Sequence, residues 1–531
     1  MKRLLYLFFI LFLLNSGNEV FSSDTIVGNR FVKNFSTENF ELQNWAIVQD
    51  SRGVMYFGNG SGVLEFDGKN WRVIKTSNSS TVRSLDIDST GTIYAGASGD
   101  FGYLDVDSIG NIFYQSLLDK TSDSVSEIKR ILKTFCTSQG VYFISEDKIF
   151  RYHHNVVDVI PANLVGQQRF GFKVNDQIFI ITQNDGLCYI KENTIVKLPH
   201  TSKFSTDYGR YIILPFANNE LLIATQDKGF FTYNLNMISH HGIIFPDNTE
   251  LNTAGTITKT FPSPIAKYLE ANGLYSATLI DSNLFAFGTI SGGIILMDKH
   301  GEFVQIINKE KGLRGNSILD LYLDHEKNLW AGLQDGISFI EMNSPITFFS
   351  EANNLEGILL TTIEHKGVRY AGTHLGIYEL KPYSFALEND NYTFQVIENA
   401  KSTCLGLFEY QNELLASTNQ GIVQIKNGNA RIIQENLSPY CFHTNKNFND
   451  IIFLGSSNGL SYLKLNEKTL AVEEKFVFPE ITQSIIEMID DEKGNLWLTT
   501  QFNGIIQLAF EENSANQYQI QRLILRTDYH H

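Results

Sequence analysis

At 531 residues, with 43% hydrophobic and 12% aromatic side chains, 40 glycines and only 10 prolines, the chain is too long for one hydrophobic core and too apolar for disorder. Its formal net charge of −16 excludes a non-specific nucleic-acid binder, because holding a phosphate backbone needs clustered lysine and arginine. Several domains or a repeat array remain.

At the start, Lys2 and Arg3 precede an apolar run from Leu4 to Leu14, and small polar residues follow at Ser22 and Ser23. This is the layout of a secretory signal over residues 1–23. The run is short for a membrane span, an uncleaved anchor being the alternative, and no cysteine follows it to carry a lipid. No later stretch reaches spanning length, so the expected location is periplasmic or secreted. The next segment, "NRFVKNFSTENFELQNW" from Asn29, reads as a lone strand placed ahead of a repeated unit.

That unit begins at Trp45 and returns near Val82, Ile128, Arg169, Tyr211, Tyr275, Ile318, Ile358, Cys404, Tyr440 and Ile485, at a spacing of roughly 40 to 45 residues. Its fullest forms are "ILDLYLDHEKNLWAGLQDGISFIE" from Ile318 and "IIEMIDDEKGNLWLTTQFNGIIQLAF" from Ile485. Each holds three alternating apolar runs separated by an acidic turn (Asp324, Asp491) and by a glycine (Gly336, Gly504). Period-two runs between Asp, Asn and Gly clusters are strands joined by hairpins, and a short fourth strand such as "FVQIIN" follows each copy. The period is that of four-stranded propeller blades; a sandwich or a β-helix would not give this repeat. Residues 238–274 read as an insertion that lacks a glycine-opened strand. "SPITFFSEANNLEGILL" from Ser344 repeats the layout of the chain start, after seven copies. The expected architecture is therefore all-β: a seven-bladed β-propeller over 24–343, its leading strand completing its last blade, then a second, incomplete propeller of about four blades over 344–531. An incomplete ring would be an open arc with unpaired edges.

With "GNLW", "YAGTHLGIY" and "KGLRGNSILDLYLD", the repeats resemble the two-component regulator propeller repeats in the extracellular sensor regions of Bacteroidetes-type regulators, over nearly the whole mature chain. The resemblance implies two seven-bladed rings, a triple-tyrosine sandwich, a membrane helix and a kinase or helix-turn-helix output, with oligosaccharides as typical signals. It implies inner-membrane anchoring only through a C-terminal segment that this sequence lacks, and it allows a homodimer through the sensor region. After the copy at Ile485 only "ENSANQYQIQRLILRTDYHH" is left, which points to a split or truncated gene, or a fragment.

Chemistry-bearing motifs are sparse. The pairs His153–His154, His240–His241 and His530–His531 lack a spaced third ligand, so no metal is expected, and no cofactor. "GNGSG" (58–62) lacks a P-loop lysine and is a hairpin turn. Asp50, Asp88, Asp324 and Asp491 recur in one turn of each blade, where Asp caps its own backbone, and the tryptophan of the Asn-Leu-Trp phrase is expected to pack between blades. Cys136, Cys188, Cys404 and Cys441 are read as buried thiols, a Cys136–Cys188 bridge being the alternative.

One constellation stands out. Arg83, Arg130, Arg169 and Arg210 each stand within about one residue of the start of the innermost strand in four consecutive blades, with Trp45 and Tyr275 at comparable blade starts. Innermost strands line the channel and run the same way, so these residues should meet on one rim. Each arginine could pair with a neighbouring carboxylate, or together they could clamp an anionic or polar ligand such as an acidic oligosaccharide. The functional expectation is a non-catalytic sensor. A secreted propeller lyase or hydrolase, or a protein-binding scaffold, are the alternatives.

Overall fold

The computed structural model describes residues 28–36, 40–121, 128–160, 171–182, 185–204, 210–217, 219–235, 238–239, 242–243, 257–259, 263–382, 392–466, 468–511 and 514–523. The expected signal at 1–23, Arg169, and the histidine pairs at 240–241 and 530–531 lie outside them.

The repeated phrase folds as it does because three residue types are fixed by backbone geometry. In the turn between the first and second strands, one Asp oxygen accepts from the backbone two and four residues on. Asp50 takes Arg52 N and Val54 N at 2.9 and 3.0 Å, Asp88 takes Thr90 N and Thr92 N, and Asp324 and Asp491 do likewise. The second oxygen explains the tryptophan six residues on: Trp330 Nε1 donates to Asp324 at 2.9 Å and Trp497 Nε1 to Asp491 at 3.1 Å. The glycine that opens the third strand sits at φ 131° in Gly62, 142° in Gly336 and 143° in Gly421. A Cβ on Gly421 would meet the Gln434 carbonyl of the fourth strand at 2.1 Å, so glycine alone fits.

The chain divides into two compact units, with the break between Phe348 and Phe349. The first, Gly28–Phe348, holds seven four-stranded antiparallel sheets, over 44–74, 82–116, 131–160, 171–197, 211–259, 274–307 and 318–340. The seventh takes its outer strand from the start of the chain: Val32–Phe35 pairs with Gly336–Ile340, Val32 opposite Ile340 and Phe35 opposite Ile337. This closes the ring and leaves no open face between first and last blades. Phe35 stacks on Trp330 at 5.4 Å, and both pack with Phe57 and Phe66 of the first blade. The tryptophan is thus held by its turn and buried between blades. The break falls beyond Asn343 because Phe348 exchanges backbone hydrogen bonds with Asn29.

Sheets stack face to face through aromatic side chains. Phe101 of the second blade meets Phe143 and Phe150 of the third at 4.7 and 4.9 Å, all three fully buried. Each such side chain contributes about 2 to 3 kcal/mol of transfer free energy. In the fifth blade the fourth strand is Ile257–Lys259, delivered after a detour. The stretch read as an insertion therefore supplies a strand, and then a helix, Ser263–Asn272, whose Ile265 and Leu269 are buried against Phe230 and Phe285. The helix ends at Gly273, φ 72°, directly before the first strand of the sixth blade.

The second unit, from Phe349, holds four four-stranded sheets over 359–396, 404–435, 441–477 and 485–523. Each is made of consecutive strands, so the Ser344 segment, expected to open the second ring, supplies no strand to them.

Candidate rim site

The first strand of each blade is innermost. Ile47 N donates to Asp320 of the seventh blade at 3.0 Å, Ser84 Oγ meets Thr134 Oγ1 at 2.7 Å, and Cys136 N donates to Asp86 at 2.8 Å, so neighbouring first strands touch around the channel. Several of these strands carry a bulge at their second residue. The ladder skips between Asn44 and Ala46, between Val82 and Ser84, and between Leu274 and Ser276. The extra residue is Trp45, Arg83 and Tyr275 respectively. A bulge re-aims the side chain it adds, which is how one position in three blades turns toward the same rim.

Arg130 and Arg210 occupy a different register, immediately before their strands. The Arg210 carbonyl accepts from Gln226 N at 2.9 Å, and Arg130 bridges to Ser98 of the blade before it. All three arginines lie within one residue of the strand start, as expected, but on either side of it, and the hydrophobic alternation does not separate the two because a bulge leaves no mark in it.

Two cation–π pairs result. The Arg83 guanidinium carbon lies 4.1 Å from the Trp45 ring, and that of Arg210 lies 4.4 Å from Tyr275, each pair joining adjacent blades. Arg83 also feels the charges of Arg130, Tyr275 and Glu146, and Tyr275 those of Arg210, Arg83 and Asp320. Residues of the second, third, fifth, sixth and seventh blades thus share one field. Burial pushes the pKa of Arg83 below its ordinary value, with the Arg130 charge adding to this, and burial does the same to Arg210. Both stay charged at any physiological pH.

The arginines differ in what balances them. Arg130 is neutralised: its Nε donates to Glu146 Oε1 at 2.5 Å, with Nη2 on the same oxygen. Arg83 and Arg210 have no carboxylate partner among the described residues. Arg83 Nε, Arg210 Nη1 and the indole Nε1 of Trp45 are all shielded from water without a hydrogen-bond partner. Each such donor costs about 1 to 3 kcal/mol until an acceptor arrives. Deeper in the channel the carboxylates are satisfied. Asp320 accepts from Ile47 N and, at 3.4 Å, from Ser276; burial raises its pKa, and Lys133 opposes this. Asp86 holds Lys173.

The structure thus brings Trp45, Arg83, Arg130, Arg210 and Tyr275 to one rim. Glu146, Lys133 and Asp320 were missed from the sequence. Glu146 had one signal, its place as the first residue after the second strand of its blade, beside the start of the innermost strand. In the second unit the bulged positions are Leu360, Leu405 and Ile486, which carry neither charge nor aromatic ring. His153 pairs with Asp158 at 2.7 Å in a surface hairpin. No group of three or more His, Cys, Asp or Glu among the described residues could hold a metal. The four cysteines are unbridged, and burial pushes the thiol of Cys404 up to about 12. No helix of the described residues is long and apolar enough to cross a membrane.

No family model matches the chain, and no curated protein does. Solved structures do. The extracellular domain of a protein described as a hybrid two-component system from B. thetaiotaomicron superposes with a TM-score of 0.59 at 16% identity, over 92% of this chain and 72% of that one. A second such domain from the same organism gives 0.44 at 14%, over 93% and 67%. A virginiamycin B lyase from Staphylococcus aureus gives 0.43 at 12%, over 59% and 99%. At these identities the likeness to the first establishes a common fold.

Proposed function

We propose that this chain is the extracytoplasmic ligand-sensing region of a two-component-type regulator, and that it binds an anionic oligosaccharide on the rim of its first ring. The observation that carries the reading is that Arg83 and Arg210, half-buried on the rim and each stacked on an aromatic ring, have no carboxylate partner among the described residues. The stacking fixes the guanidinium planes and leaves their edges for carboxylate or sulfate oxygens. Aromatic faces beside them suit the apolar faces of sugar rings. A sensor needs no reactive group, only differential affinity between signalling states. The fold shared with a two-component extracellular domain supports the same reading.

Isothermal titration calorimetry with oligogalacturonates tests it. The double variant Arg83→Gln/Arg210→Gln should bind at least about a hundredfold more weakly, from two charge-assisted contacts at about 1.5 to 3 kcal/mol each. Unchanged affinity would remove the rim from consideration. The same mixtures assayed for new reducing ends or unsaturated products test the enzyme alternative, and turnover would favour it.

A further inference from the structure

Of the three rim arginines that the structure describes, two have no carboxylate partner among the described residues. Arg83 and Arg210 stack on aromatic rings with buried N–H edges unpaired. The third arginine, Arg130, is already held by Glu146 through Nε and Nη2. Glu146 is also close enough for its charge to act on Arg83. It follows the second strand of the third blade, Gly140–Ser145, in a turn that Ser145 fixes: Ser145 Oγ accepts from Lys148 N at 2.9 Å and donates to Lys148 O at 2.9 Å. The corresponding described residue of the other blades of this ring is Gly60, Ser98, Gln226, Ile290 or Gln334, none of them acidic. The one acid at this position stands opposite the one arginine that it neutralises.

We propose that Glu146 is a built-in counter-anion that sets how much ligand charge the rim accepts: it occupies Arg130, so the rim selects a ligand with two anionic groups and takes no benefit from a third. The inference rests on the rim reading above and deepens it. A ligand carboxylate that approached Arg130 would have to displace a carboxylate of the same chemistry, already tethered at high effective concentration. It would gain nothing by the exchange. At Arg83 and Arg210 it displaces no carboxylate and meets guanidinium groups that no anion among the described residues balances, so each of the first two charges strengthens binding. Glu146 therefore acts through Arg130, as a specificity-determining residue that never touches the preferred ligand.

The test is calorimetry with galacturonic acid, digalacturonate and trigalacturonate on four full-length proteins: wild type, Glu146→Gln, Arg130→Gln and the double variant. In the wild type digalacturonate should bind at least about tenfold more tightly than galacturonic acid, and trigalacturonate within about twofold of digalacturonate. Glu146→Gln should leave digalacturonate little changed and tighten trigalacturonate about tenfold, discounted for the half-exposed Arg130. That gain should vanish in the double variant, which shows that Arg130 is the group unmasked. Arg130→Gln alone should weaken digalacturonate and trigalacturonate by a similar factor, because Glu146 is then an unpaired carboxylate whose charge acts on Arg83. If the three sugars bind alike but weaken with Arg83→Gln, the rim reading stands and the charge rule falls. A gain from Glu146→Gln that persists without Arg130 also overturns the rule. If none of the sugars binds wild type or Glu146→Gln, both readings fall.

Discussion

Replacing Asp324 by alanine should loosen the seventh blade by about 3 kcal/mol, and a large part of that loss should disappear when Trp330 is phenylalanine. The buried carboxylate accepts three hydrogen bonds, from Glu326 N at 2.9 Å, Asn328 N at 2.8 Å and Trp330 Nε1 at 2.9 Å. The two backbone donors lie in a surface turn where water can replace the lost acceptor, so each contributes about 0.5 to 1 kcal/mol. The indole donor cannot be rehydrated, since Trp330 is 7% exposed and packed between Phe35 and Phe57. Left without an acceptor it costs about 1 to 3 kcal/mol. Trp330→Phe keeps an aromatic ring and removes the donor, so the double variant should be milder than the sum of the singles by about 1 to 2 kcal/mol. Amide hydrogen exchange read on peptides covering residues 318–340 reports the opening free energy of this blade alone. Additivity within about 0.5 kcal/mol would refute the anchoring role of the Asp–Trp pair.

Two further outcomes check the fold's backbone rules. Gly459→Ala places a Cβ 1.8 Å from the Ile481 carbonyl at φ 110° and should cost the 441–477 sheet more than about 3 kcal/mol, whereas Gly367→Ala, φ 76° with nothing within 4 Å, should cost about 1 kcal/mol; equal losses would show that the close approach is not what demands glycine. Backbone hydrogen bonds from Asn70 and Lys69, with the Asn70 side chain, lower the Asp67 pKa to about 2. A carboxylate depressed in the folded state stabilises above its unfolded value and loses that contribution as pH falls, so amide protection of the Gly62–Ile74 hairpin should drop between about pH 4 and pH 2 and lose this dependence in Asp67→Asn.

The blade was readable from sequence because its fixed residues are set by local geometry: Asp in the first turn, Gly at the positive-φ start of the third strand, Trp six residues after Asp. Ring closure was readable too, since a lone strand ahead of the first copy has only one place to pair. What escaped was whatever depends on partners distant in sequence or on single-residue register. The fourth strand of the fifth blade is three residues long, Ile257–Lys259, and lies in a stretch without alternation. The Ser344 segment copies the pattern of the chain start, yet Phe348 pairs with Asn29, and pattern alone cannot state which edge is free. At the rim, the residue types and their convergence followed from strand order, but the bulges that separate Arg83 from Arg130 and Arg210 did not. Nor did Glu146, one acid among many in turns, whose role appears only opposite Arg130.

The most direct measurement is the indole NMR spectrum of the full-length protein labelled with ¹⁵N-tryptophan and titrated with digalacturonate. The chain has four tryptophans. Trp330 and Trp497 have their indole N–H committed to aspartates and Trp71 packs on Phe66, while the Trp45 N–H is shielded and unpartnered beneath Arg83. With signals assigned by single Trp→Phe variants, the Trp45 resonance should move to saturation in step with the calorimetric isotherm while the Trp330 and Trp497 resonances stay in place. A Trp45 resonance that does not move while calorimetry shows the protein saturated would place the ligand elsewhere and contradict the account.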